Sequence, residues 1–200
     1  MKLMYATRPY EKHKGDSQKL YDEWNEKCCN DLLNGKNKNY KKNVRAIIKD
    51  FNNIEVELKE LPKVGIVGEI LIKYHTFGND HLVDRLEREG VEVCAPELMG
   101  FVKYSTYSGI AKSKIIKKGY AYAYACKKLI DIIGLYEKPI DKALKNTRFR
   151  KSVDIYKLAE NVDGILSTGN VTGEGWFLTA EMIEYIEHGI PNIVCVQPFA

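Results

Sequence analysis

Residues 63–72 read KVGIVGEILI, a short, β-branched and almost uninterrupted apolar run. A strand with one wet face alternates in polarity. A continuous run marks a strand covered on both faces, the situation of a parallel sheet lying between helices. Parallel strands need a crossover, and one follows directly. Asn79 and Asp80 stand at a helix N-cap before residues 81–89, with apolar side chains at 82, 83 and 86 and Gly90 as the C-terminal cap. Residues 91–95, VEVCA, then form a second strand that Pro96 ends. Strand, helix and strand make a βαβ unit, whose crossover is right-handed.

The pattern returns near the C-terminus. Residues 162–167 (VDGILS) are predicted as a strand, 168–175 as a glycine-rich turn, 179–188 as an amphipathic helix closed by Gly189 and Pro191, and 192–197 (NIVCVQ) as the last strand. Between the two halves, residues 97–118 carry Tyr104, Tyr107 and several lysines without a decisive period, as a loop or a short helix. Residues 119–133 mix alternating Tyr and Ala with a helix-forming continuation. The spacing predicts a helix there with Tyr122, Cys126, Leu129 and Ile133 on its buried stripe, closed by Gly134. Further helices are expected over 138–146 and 150–160.

Residues 1–60 differ in character, being rich in Lys and Asn. Leu20, Trp24, Cys28 and Leu32 recur every four residues, which predicts a helix over 17–33 capped by Asn34-Gly35. Val44, Ile47, Ile48 and Phe51 mark a second helical face. The expected organisation is a helical extension over 1–60 and an α/β domain over 61–200. The fold class is α/β, a three-layer Rossmann- or flavodoxin-like arrangement with a short, mostly parallel sheet.

Composition narrows function without naming it. A net charge of +4 with both signs interspersed gives no field for nucleic acid, and the basic run from Lys36 to Lys49 reads as a solvated helix face. No apolar stretch approaches a membrane span. The five cysteines, Cys28, Cys29, Cys94, Cys126 and Cys195, include no C-x-x-C pair and no zinc spacing. They indicate reduced thiols in a cytoplasmic protein and predict no metal site. Cys94 and Cys195 fall at strand ends that one sheet edge could bring together.

The strongest local signal is STGNVTGEGW over 167–176, between a buried strand and a helix. Gly169, Gly173 and Gly175 permit positive φ and close backbone approach, and Asn170 and Thr172 add short polar side chains. Backbone amides and the following helix dipole suit an anion, although the spacing matches neither the dinucleotide nor the Walker pattern. A turn that simply needs glycine is the alternative. At the end of the first strand stand Glu69, His75, Asn79 and Asp80. Glu69 inside an apolar run requires a partner, either in a salt bridge or in a site.

Four blocks of this sequence together resemble the activase-related proteins of the 2-hydroxyacyl-CoA dehydratase group: KVGIVGEILIK over 63–73, NDHLV over 79–83 with EREG over 87–90, GNVTGEGWFLTAEM over 169–182, and IVCVQPFA over 193–200. TRPYEK over 7–12 is similar to the segment that precedes this region in those proteins. The resemblance is to the dehydratase-like region of the long activator proteins and not to their ATPase module, whose motifs are absent. It implies a CoA-ester- or iron–sulfur-associated electron-transfer component of anaerobic metabolism, inactive alone and without an assigned catalytic residue. In the family a cysteine commonly follows the QPFA block, so the resemblance further implies a fragment of a longer chain, in which an iron–sulfur cluster is completed. It places Gly169, Asn170, Thr172, Gly173, Glu174, Gly175 and Trp176 along a ligand cavity faced by Glu69, Asn79 and Asp80. The implied partners are an activator ATPase or the remainder of the native chain, with acyl-CoA as ligand. A docking or regulatory domain for that ATPase, and a nucleotide-binding α/β domain, are the alternatives.

Overall fold

The computed structural model describes residues 1–198, which form two compact units: residues 1–61 with 135–151, and residues 62–134 with 152–198. The segment 135–151, expected in the α/β domain, groups with the N-terminal helices. Phe199 and Ala200 of the QPFA block lie outside the described residues.

In the first unit, α1 (Lys2–Tyr5), α2 (Asp16–Leu33) and α3 (Tyr40–Asn53) pack around Trp24, Ile48 and Phe51. The start of α2 is held from outside the helix. The buried Glu11 carboxylate accepts from the Gly15 and Ser17 amides at 2.7 and 2.8 Å and from Ser17 Oγ at 2.6 Å, supplying acceptors where a helix has none of its own. The end of α3 is held by Arg148, whose guanidinium donates to the Phe51 carbonyl at 2.7 Å. Leu32 of the expected stripe is exposed, while Trp24 is buried and donates Nε1–H to Asp50.

The second unit contains β1 (Lys63–Gly68), α4 (Ile70–Tyr74), α5 (Leu82–Arg88), β2 (Glu92–Cys94), α6 (Leu98–Ile116), the first part of α7 (Tyr120–Leu144), α8 (Ile155–Asn161), α9 (Gly175–Glu187) and β3 (Asn192–Val196). The sheet has the order β2-β1-β3 with both pairings parallel; Gly65 lies opposite Cys94, and Val67 opposite Cys195. The class is therefore α/β with a small open parallel sheet. Gly65 explains how α9 meets this sheet. A Cβ there would come within 2.6 Å of the Tyr185 ring, and the Tyr185 hydroxyl donates to the Cys94 carbonyl at 2.9 Å. A bare strand position thus lets an aromatic ring lie across β1.

Several expectations are corrected. The strand over 63–72 stops at Gly68, because Gly68 adopts φ 132° and Glu69 caps a new helix; residues 70–72 are helical despite the β-branched Ile70 and Ile72. The strand over 162–167 does not form. Val162 caps α8, the Ile165 and Leu166 amides donate back to its carbonyl, and its side chain is fully buried. Residues 98–116 are one long helix. Gly134 does not end α7, which continues past Pro139, and Tyr122 and Leu129 of its expected buried stripe are exposed whereas Cys126 and Ile130 are buried. The helix expected from 150 begins only at Ile155, behind Asp154, whose side chain accepts from the Tyr156 amide. The N-cap of α5 is His81 rather than Asn79 or Asp80, although Asn79 Oδ1 accepts from the Leu82 amide at 3.2 Å.

No helix among the described residues is long and apolar enough to cross a membrane. The core of this unit gathers Tyr104 from α6, Ile155 and Leu158 from α8, and Trp176, Phe177 and Ala180 from α9.

Gly68 gives a direct test of the sheet edge. Its Cβ would lie 1.8 Å from the Val196 carbonyl oxygen, at a φ that L residues avoid. Gly68→Ala should lower the unfolding free energy by roughly 2–3 kcal/mol through strain and a displaced β3. Gly90→Ala, at φ 82° with open space around it, should cost about 1 kcal/mol. Urea unfolding compares the two, and equal costs would exclude the clash with β3.

Candidate functional site

The chain reverses from strand to helix at the carboxyl end of β1, and two carboxylates from distant parts of the sequence meet there. Glu69 caps α4, its Oε2 accepting from the Ile72 amide at 3.0 Å. Glu174 lies in the loop before α9 with φ 60°, is buried, and accepts with Oε1 from the Ile70 amide at 2.9 Å. Both carboxylates therefore serve the open amides of the first turn of α4. The Glu69 amide donates to the Val196 carbonyl at 3.0 Å, joining this corner to β3.

Glu69 and Glu174 line a cavity of about 500 Å³. The opposite wall comes from α6 and α7, with Phe101, Tyr104 and Tyr122 supplying rings and Lys112 a cation, and Ile70, Val171 and Gly173 complete the lining. Tyr104 is fixed from several sides: its hydroxyl donates to the Val171 carbonyl at 2.7 Å, and its ring stacks on Phe177 at 5.0 Å between centroids. Burial pushes its phenol above the ordinary tyrosine range, and the charge of Glu174 adds to the rise. Gly109 lets α7 approach α6, since a Cβ there would come within 2.7 Å of the Tyr122 ring.

Beside this cavity lies a buried ion pair. Lys73 Nζ of α4 stands 3.2 Å from Glu181 Oε2 of α9, both side chains being almost fully buried. Burial pushes the Glu181 carboxyl up to about 7; Lys73 opposes the rise, and Glu184 and Glu174 add to it. Lys73 also lies 5.8 Å from the Phe177 ring centroid.

Among the residues expected at the site, Glu69, Gly173 and Glu174 share the cavity. The others have different work. Asn79 donates its amide to the Ile72 and Lys73 carbonyls, closing the end of α4. Asp80 is exposed and paired with Arg85. The Gly169 amide donates to Ser167 Oγ in a local turn, and Asn170 donates its side-chain amide to the Ser167 carbonyl. Thr172 is exposed. Gly175 is the first residue of α9, where a Cβ would come 1.8 Å from the Asn170 carbonyl oxygen, and Trp176 is fully buried in the core. The amides of Gly175, Trp176 and Phe177 donate to the carbonyls of Thr172, Asn170 and Glu174. These three amides close the turn on itself and are not offered to an anion.

Phe101, Tyr104 and Lys112 lie within residues 97–118, where the sequence shows no decisive period. Phe101, Tyr104, Ser108 and Lys112 nevertheless recur at helical spacing, the signal that would have found them.

The iron–sulfur cluster implied by the resemblance requires converging thiolates. Cys94 and Cys195 belong to β2 and β3, which flank β1 on opposite sides, so they do not share an edge. Cys126 is buried in α7, and Cys28 and Cys29 belong to α2. Among the described residues no group of three or more His, Cys, Asp or Glu side chains is placed to hold a metal ion, and the thiols present do not fit a cluster. Compared with protein-family models, with curated proteins and with solved structures, the chain matches none.

Proposed function

We propose that the α/β unit is a non-catalytic ligand-binding domain of a cytoplasmic protein related to the 2-hydroxyacyl-CoA dehydration system. It takes the acyl-pantetheine arm of a CoA ester into the cavity beside Glu69 and Glu174. The observation that carries this reading is the position of the cavity. The order β2-β1-β3 matches the start of the flavodoxin-like order, in which the chain switches sides of the sheet between β1 and β3, and ligands of such sheets settle outside the strand ends at that switch. Glu69 and Ile70, the first residues beyond β1, line the cavity there. On this reading the unit is a shortened three-layer Rossmann-like domain. The phosphates would stay outside near Lys112, Lys114, Lys117 and Lys118. An iron–sulfur cluster enters only with thiolates from outside the described residues, so no electron-transfer step is assigned to this chain.

Thermal unfolding with CoA and butyryl-CoA tests the proposal. At about 100 Kd the ester should raise Tm by roughly 5 °C, and Lys112→Ala should weaken binding about fivefold, the value of one exposed charge contact. No shift at millimolar ester would reject it.

A docking role toward an activator ATPase has its own support. Tyr124, Leu129 and Ile132 of α7 present apolar side chains to solvent. Capture of that ATPase, lost in Leu129→Lys and insensitive to acyl-CoA, would favour this second reading.

A further inference from the structure

The cavity beside β1 holds more negative charge than capping α4 consumes. Glu174 is 4% exposed, and only its Oε1 accepts a hydrogen bond. Glu69 uses only Oε2. The remaining oxygens, Glu69 Oε1 and Glu174 Oε2, have no hydrogen-bond or ion-pair partner among the described residues. Lys112 lines the same cavity but forms an ion pair with neither carboxylate. Glu69 is partly buried, whereas Glu174 is almost wholly withdrawn from water, and a carboxylate so placed is costly without a counter-charge. Aromatic ring faces attract cations for the same electrostatic reason that they repel anions. A cavity combining these carboxylates with Phe101, Tyr104 and Tyr122 is complementary to a positively charged group, and a neutral apolar group would leave both carboxylates unsatisfied.

We infer that the cavity binds a protonated amine, held by the free oxygens of Glu69 and Glu174 among the three rings. The inference rests on the proposed reading for the rest of the ligand, so the acyl group of the CoA ester carries the ammonium group. Lys112 then remains for the ligand's anionic part.

Calorimetric titration of the 200-residue chain with β-alanyl-CoA and butyryl-CoA near neutral pH tests this, because the two differ only in an ammonium against a methyl group. The amine should bind more tightly on the order of tenfold. Glu174→Gln, which keeps an acceptor for the Ile70 amide, should abolish that preference, bringing the affinity for the amine ester down to that for butyryl-CoA. Glu69→Gln serves the same comparison if the first variant fails to fold, as judged by far-ultraviolet circular dichroism. Equal affinity of the unsubstituted chain for both esters overturns the ammonium site and leaves the CoA-ester reading standing. Binding of cadaverine that depends on Glu174, without binding of either ester, sustains the ammonium site and overturns the CoA-ester reading. Absence of binding by all three ligands overturns both.

Discussion

Replacing Trp176 with alanine lowers the unfolding free energy of the α/β unit by about 3–5 kcal/mol, the range for emptying a buried aromatic site. Trp176 is fully buried, and its ring packs edge-on against Tyr104 at 5.5 Å and Tyr107 at 5.4 Å between centroids. Removing it leaves those rings and the neighbouring Phe177 without a surface to close on. Trp176→Phe should cost much less, roughly 1 kcal/mol. Nε1 is buried without a hydrogen-bond partner among the described residues, so losing that donor relieves a desolvation penalty that partly offsets the lost volume. Urea unfolding of both variants decides the matter. A small loss in the alanine variant, accompanied by loss of ligand binding, would place the indole in the site after all and remove it from the core.

Lys73→Met has a comparable effect by another route. Truncating one member of a buried pair leaves its partner charged and unpaired, at a cost of about 3–5 kcal/mol. Glu181 would then face Glu184 and Glu174 without its cation. The pH dependence identifies the group responsible. Burial raises the Glu181 carboxyl in the folded state to about 7, above its ordinary value of 4.5. Folding therefore favours the protonated acid: this contribution is complete below the ordinary carboxylate range and is lost as pH rises through about 7. At 1.36 kcal/mol per unit, that window corresponds to about 3 kcal/mol. Without Lys73 the folded-state value rises further and the loss extends to higher pH. The deficit of Lys73→Met should consequently be largest near pH 8 and shrink toward pH 5. The double variant Lys73→Met with Glu181→Leu should recover stability to within about 1 kcal/mol, because two apolar side chains replace two buried charges. A deficit independent of pH would exclude Glu181 as the titrating group.

The same pair shows why parts of the site were legible in the sequence and parts were not. Glu69, a carboxylate within an apolar run, calls on sequence grounds for a salt bridge or a site, and finds a backbone partner instead. That partner is the Ile72 amide, because the run bends into a helix at Gly68. The bend follows from a positive φ and a close approach to β3, neither of which apolar spacing records. Glu174 was singled out as one member of a glycine-rich loop, but its bond to the Ile70 amide joins residues far apart in the chain. Lys73 and Glu181 carry no local signal of pairing. Their encounter requires α4 and α9 to pack together.

Local chemistry by itself determined the strand beginning at Lys63, the parallel partners at Glu92–Cys94 and Asn192–Val196, and the helices whose period was clean, notably Asp16–Leu33. The physical reason is that apolar period, cap residues and glycine freedom act within a few neighbouring residues. Tertiary structure alone decided that residues 162–167 turn instead of pairing, that α7 runs through Gly134 and Pro139, that Trp176 belongs to the core, and that Cys94 and Cys195 are held apart by β1. The local preferences overridden are a few tenths of a kcal/mol to about 1 kcal/mol per residue, rising to about 3 kcal/mol for Pro139 inside a helix. Burying a large side chain is worth about 1.5–3 kcal/mol, so packing overrides the local preference wherever the two conflict.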